Sequence, residues 1–246
     1  MSQNLFTKNF ILLVLGQNSS LFGNYILKFA LSMFILELTG SATIFASILA
    51  IAMIPTILLS PFGGILADRA NRRNIMIALD FISGAIILVA AFFFSEQNSI
   101  LTTTFILIAL SILGAFESPT VQACVPQIHT GDNIIRANAV VNQIAAIANL
   151  ISPILSSILY PLFGLKPIMF VSIVSFFLTA LFECFISLNF TRRNNKESIL
   201  HIIKYDFLVS MQFIFNLLKN PMLLVHSSKL QVEKYLHLHK MNIKQV

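Results

Sequence analysis

The sequence predicts an all-α polytopic membrane protein, a bundle of six transmembrane helices, and three observations predict it. Of its 246 residues 57% are hydrophobic and only 11% charged, where a soluble domain carries about 25% charged residues. Apolar runs recur at short polar intervals. Each is long enough to cross a hydrocarbon core of roughly 30 Å at about 1.5 Å per helical residue. The basic residues collect on alternate links. Lys8, Arg69, Arg72, Arg73, Arg136, Arg192, Arg193 and Lys196 fall on one side and Lys166 on the other, which predicts a cytoplasmic amino terminus. The net charge of +6 thus sets orientation in a membrane, and no nucleic-acid partner is expected.

The first span, about residues 10–36, is too long for a cleavable signal and reads as a helix that stays. Gln17, Asn24 and Lys28 are spaced by seven and four, within about 20° on one face, with Ser20 close by. Such a stripe faces protein or a watery cavity rather than lipid. Gln17, Asn24 and Lys28 are therefore cavity-lining candidates, with interhelical hydrogen bonding the other reading for Gln17 and outward snorkelling for Lys28. Glu37 to Ser41 makes the first outer turn.

The second span, 42–62, carries no ionisable residue, and the third, 75–95, carries only Asp80. Asp80 sits near the intervening loop and reads as structural. That loop, Gly63-Gly64-Ile65-Leu66-Ala67-Asp68-Arg69-Ala70-Asn71-Arg72-Arg73, is a tight cationic connection that cannot sit in lipid, and its arginines predict the cytoplasmic side. Glycine here allows close approach of helix ends, and Asp68 has guanidinium groups within reach.

The fourth span, 100–122, ends near Glu117, and a long connection, 123–137, is expected before the fifth, 138–161. The fifth carries Asn142, Gln143, Asn149, Ser152, Pro153, Ser156 and Ser157. Its proline and small residues suit a kinked packing helix, and Asn149 is a further cavity-lining candidate. The sixth span, 167–189, contains Glu183. An acid within a span is a functional candidate by default, so Glu183 and Glu117 are proton-coupling candidates. The alternative for Glu117 is pairing with an arginine of the loop. Cys124 and Cys184 are expected as free thiols.

Gly64 to Arg73, Gly-x-x-x-Asp-Arg-x-x-Arg-Arg, resembles the signature between helices two and three of the major facilitator superfamily of secondary transporters. Thr39-Gly40-Ser41, Pro55 and the stretch from Gly114 to Ala139 resemble its macrolide, siderophore and drug exporter branch. The resemblance covers Lys8 to about Asn189. It implies the amino-terminal half of a twelve-helix alternating-access exporter of small amphipathic compounds, coupled to H⁺ or Na⁺, in a bacterial plasma (inner) membrane. Gly64, Asp68, Arg69, Arg72 and Arg73 would form its cytoplasmic gate. The family's glycine before the paired basic residues is replaced by Asn71, the residue best able to imitate glycine in left-handed geometry. Helix four has Leu110 where relatives often have arginine, and helix one reads Gly23-Asn24 where many read Gly-Asp. Both departures remove groups usually linked to proton coupling.

Residues 1–190 are thus expected to form the bundle. Residues 191–224 are expected to hold a linker, an interfacial helix over about 198–218 and the start of a seventh span. Residues 225–246 form a polar tail that cannot cross a bilayer, which suggests a truncated product. His237 and His239 lie there without a third metal ligand. No nucleotide-binding loop, nucleophile elbow or metal-ligand spacing is present, so neither an enzyme nor a cofactor is expected. A lone half would work as a homodimer or with a second chain that supplies the other half. The competing reading is a non-transporting fragment, or a regulatory partner of a full-length or split transporter.

Overall fold

The computed structural model describes residues 4–94 and 99–188, and the expectations for residues 191–246 lie outside them. The described residues form six helices: α1 (Lys8–Thr39), α2 (Ala42–Arg69), α3 (Arg72–Phe93), α4 (Ser99–Ile128), α5 (Asp132–Phe163) and α6 (Leu165–Cys184). All six are long and apolar enough to span a membrane. Helices satisfy their own backbone groups, which hydrocarbon cannot do for them.

Local chemistry sets the ends. Thr7 caps α1 by accepting from the Phe10 N–H (3.3 Å). Gly40, at φ 60°, stops α1 in left-handed geometry, and its N–H donates to Leu36 O (2.8 Å). Ser41 then caps α2. Two expectations are corrected. The connection expected over 123–137 is mostly helix, and only 129–131 lie between α4 and α5. Hydropathy marks where hydrocarbon ends, whereas a helix can continue into the aqueous phase. In the other direction α6 stops at Cys184 rather than near 189, because Arg73 binds its last carbonyls.

The packing is not sequential. Helix α1 lies against α5 and α6, α4 lies against α2 and α3, and α3 meets α6. Exchanging α1 with α4, α2 with α5 and α3 with α6 leaves this pattern unchanged, as two similar three-helix units would. Hydrogen bonds repeat the relation. Ser156 on α5 donates to Ile26 O on α1 (3.0 Å), and Thr56 on α2 donates to Ser111 O on α4 (3.0 Å).

Small residues bring the helices close, as expected where lipid gives no hydrophobic drive between them. On α1, Ser172 of α6 donates to Gly23 O (2.9 Å) and Thr179 to Gly16 O (3.0 Å). A Cβ on Gly23 would stand 2.8 Å from Ser175 Cβ. A Cβ on Gly63 of α2 would stand 2.5 Å from the Ala115 carbonyl oxygen of α4.

The apolar core is in two parts. One contains Leu27, Leu31, Ile87, Leu107, Leu110 and Phe176, toward the Gly40 end. The other contains Phe10, Leu13, Met76, Val121, Val125 and Ile186, toward the arginine end. On each of α1, α3, α4 and α6 buried polar residues fall between these two sets, among them Gln17, Ser20 and Asn24, then Asp80, Glu117 and Glu183. The bundle is two greasy blocks with a polar layer between them.

Candidate functional site

Three features adjoin one another: the basic link, the polar layer and a cavity beside it. The link between α2 and α3 is only Ala70 and Asn71, both extended. Asn71 therefore does not take the left-handed geometry expected of it, since a two-residue extended link needs no such residue. Arg72 turns back on α2, donating from Nε to Ala67 O (2.9 Å) and from Nη2 to Asp68 Oδ1 (3.4 Å). It thereby supplies donors and positive charge to carbonyls left open at a helix carboxyl end. Arg73 reaches α6 instead. Its Nε donates to Glu183 O (3.2 Å) and its Nη2 to Cys184 O. Consecutive arginines thus tie the link to two different helices. Arg69 closes the last turn of α2.

Of the glycines, Gly63 makes the close approach to α4, while the Cβ direction of Gly64 is open. Successive helical residues point about 100° apart, so the two cannot share one contact. The close approach expected of glycine in this link is made by Gly63.

In the polar layer, Asp80 of α3, Glu117 of α4 and Glu183 of α6 are 1%, 7% and 1% exposed. Ser20 of α1 bridges two of them, its Oγ lying 2.8 Å from Asp80 Oδ1 and 3.1 Å from Glu117 Oε1. The Gln17 amide donates to Glu117 Oε1 at 3.4 Å. The Glu183 carboxyl faces that of Asp80. Neither oxygen of Glu183, nor Oδ2 of Asp80, meets a donor among the described residues. Glu117 is therefore held by α1 rather than by a loop arginine, because its side chain lies inside the bundle, below the link. Asp80 is not a structural residue of the loop. Eight residues past Arg72 is about 12 Å along a helix, deep enough to join the two glutamates. Its isolation in an apolar run was the available signal.

Glu117 also borders a cavity of about 300 Å³ among α1, α2, α4 and α5. Gln17, Asn24, Lys28, Gln122 and Asn142 share its wall, so the α1 stripe opens onto it as a unit. Lys28 and Glu117 attract each other across it without closing to an ion pair. Asn149 is exposed and stands outside this wall. Seven residues from Asn142, it shares that face of α5 but sits about 10 Å farther along. A larger recess, about 740 Å³, lies between α3 and α4. Its lining is apolar apart from Thr102, with Phe81, Phe93 and Phe105 among its walls, a surface suited to hydrocarbon. Both cysteines are free, Cys124 buried and Cys184 exposed. No cluster of three metal-ligating side chains occurs among the described residues.

Comparison with known proteins agrees with this architecture. Macrolide efflux protein A of Streptococcus pyogenes is 26% identical over 162 residues, 65% of this chain and 40% of that protein. Macrolide efflux protein A of Enterococcus faecalis is 25% identical over 138 residues, 55% of this chain and 42% of that protein. The chain therefore matches about two fifths of the length of these relatives. The family model of the Major Facilitator Superfamily matches residues 13–227. With that match spread over all six spanning helices, this multi-pass membrane protein belongs to the Major Facilitator Superfamily.

Proposed function

We propose that the chain is the amino-terminal half of an ion-coupled exporter of small amphipathic compounds, macrolides among them, working by alternating access. The observation that carries this reading is the cavity. A lysine, an acid and four amide side chains of α1, α4 and α5 line one recess inside an apolar bundle, and polar groups at such depth mark transport pathways. The macrolide efflux proteins to which the chain is similar suggest the direction and substrate class. The basic link forms part of the cytoplasmic gate, since Arg72 and Arg73 fasten α2 and α6 to one short connection. Asn24 and Lys28 contact the substrate, and the acids of the polar layer carry the coupling ion. The other half comes from a second copy or a separate chain.

Two measurements test the proposal. Cells expressing the chain, alone and with a carboxyl-terminal half from a relative, are assayed for macrolide and dye accumulation. Lower accumulation that Lys28→Met or Asn24→Leu abolishes supports it. Unchanged accumulation in both settings, with the protein in the membrane, favours the non-transporting fragment or assembly partner. Orientation is read from the thiols. Exposed Cys184 lies at the arginine end and Cys124 is buried, so an impermeant maleimide should label inside-out vesicles and spare right-side-out ones.

A further inference from the structure

We infer that the cavity among α1, α2, α4 and α5 is a slot for a small zwitterionic head, an ammonium and a carboxylate one or two carbons apart. Lys28 takes the carboxylate and Asn24 the ammonium. The argument starts from what is left unmatched on α1. Asn24 is 6% exposed, and its Oδ1 meets no donor among the described residues. A buried acceptor in that state is costly. Four residues on, half-buried Lys28 brings three N–H donors and makes no ion pair among the described residues. Both side chains line the same cavity. Residues four apart stand one above the other on a helix, about 6 Å along its axis, yet Lys28 does not donate to Asn24 Oδ1. An acceptor and a cation thus stand side by side, each open to a third group.

The facing helices do not supply that group. Glu117 of α4 attracts Lys28, but its Oε1 is engaged from the polar layer by Ser20 (3.1 Å) and Gln17 (3.4 Å). Gln122 of α4 and Asn142 of α5 share the wall, and an amide offers donors and an acceptor without net charge. The wall as a whole is dipolar.

Three classes of ligand can be weighed against it. A cation alone meets Asn24 and Glu117 but confronts Lys28, a like charge whose donors stay unmet. An anion alone meets Lys28 but confronts Glu117 and leaves Asn24 Oδ1 without a donor. A zwitterion answers both, since its carboxylate accepts from Lys28 and its ammonium donates to Asn24. Hydrogen bonds between ionised groups are the strong kind. Two of them, each about 2.8 Å long, and a head of one or two carbons bridge neighbours one helical turn apart. A head whose charges are held far apart cannot do so.

Size and polarity agree. The cavity's volume of about 300 Å³ is the low end of the range for ligand sites, about 300–1,000 Å³, which suits a compact head. Leu21, Val121 and Val141 also line it, so an apolar tail finds a dry surface beside the charges. The larger recess between α3 and α4 has no charged side chain in its wall. The inference rests on the reading of this cavity as the substrate site, and it adds the chemistry of the head group.

The test is equilibrium dialysis against the full chain in lipid nanodiscs, with phenylalanine and three relatives. Phenylethylamine lacks the carboxylate, 3-phenylpropionate lacks the ammonium, and 4-(aminomethyl)benzoate holds its two charges apart across the ring. Phenylalanine should bind tightest, each of the others at least tenfold more weakly. Lys28→Met should erase its advantage over phenylethylamine, and Asn24→Leu its advantage over 3-phenylpropionate. Both replacements are apolar and similar in length to the original, so the bundle should survive them, and the wild-type series needs neither. Failure of phenylalanine and of leucine to bind the wild-type chain overturns the slot. So does equal binding of any of the three relatives, or a preference for phenylalanine that both substitutions leave intact. The expected order of binding in a chain that exports nothing, alone or with a carboxyl-terminal half, overturns the proposed function alone. Export by a chain that shows no such order overturns the slot alone.

Discussion

Helices α1 and α4 stand at the centre of the bundle, and their two sides are built differently. Toward α3 and α6 they are sealed. The most apolar windows of α3 and α6 are 39% and 44% buried, and the acids meet there. Toward α2 and α5 they are open. Those helices bury 6% and 17% of theirs, and the cavity lies on this side. Gln17 and Glu117 belong to both sides at once, bonded to each other and lining the cavity. The acids of the sealed side are therefore one hydrogen bond from the cavity wall of the open side. That adjacency, rather than any single residue, is what would couple an ion to a substrate.

The largest expected effect tests a close backbone approach on the open side, between α2 and α4. Gly63→Ala places a methyl 2.5 Å from the Ala115 carbonyl oxygen and 3.0 Å from Phe116 Cα. Backbone cannot move aside as a side chain can, so the loss should lie at the top of the range of about 1–3 kcal/mol for overpacking. Gly64→Ala meets nothing within 4 Å and should be neutral or slightly stabilising. Thermal unfolding in lipid compares the pair. Equal effects would mean that α2 and α4 are not in this contact.

On the sealed side, Gly23→Ala brings a methyl to 2.8 Å from Ser175 Cβ. Rotating the hydroxyl does not move that Cβ, so α6 itself must shift, but the overlap is smaller than at Gly63 and we expect about 1–2 kcal/mol. Cross-linking between engineered cysteines on α1 and α6 should fall in parallel. Smaller still are the hydroxyl links. Ser172→Ala removes the bond to Gly23 O, and Thr56→Val the bond to Ser111 O. Each should cost about 0.6 kcal/mol, the average for interhelical hydrogen bonds in membranes. If Ser172 costs several times more than Thr56, the sealed side depends on polar links and the open side does not.

This contrast was only half legible in the sequence. Hydropathy located the six spans and the α1 stripe, because lipid imposes length and apolarity on any crossing segment. It misplaced the helix ends, since α4 runs to Ile128 and α6 stops at Cys184. Solvation governs hydropathy, whereas caps and partners from other helices govern ends. Depth alone marked Glu117 and Glu183, but which acids meet depends on non-sequential packing, and that is why Asp80 was assigned to the loop. The choice between Gly63 and Gly64 likewise turns on a rotation of one residue about a helix axis, which no motif records. Asn149 followed the right face of α5 and the wrong depth.

The smallest expected effect on stability separates structure from gating. Asp68 is paired with Arg72 at 3.4 Å, yet its side chain is 76% exposed. Solvent screens such a pair, and exposed ion pairs contribute about 0–1 kcal/mol. Asp68→Asn should therefore leave unfolding almost unchanged and lose even that small difference at high salt. Arg72 keeps its bond to Ala67 O in the variant, so the link itself should survive. If the link only joins two helices, transport should survive as well. If it belongs to the gate, the Asp68–Arg72 pair stabilises one of two arrangements, and removing it shifts their balance while the fold persists. Export by the assembled transporter should then fall at least tenfold with no matching loss of stability. A parallel loss of both would return the link to a purely structural role and leave the contrast between the two sides as the only basis for function.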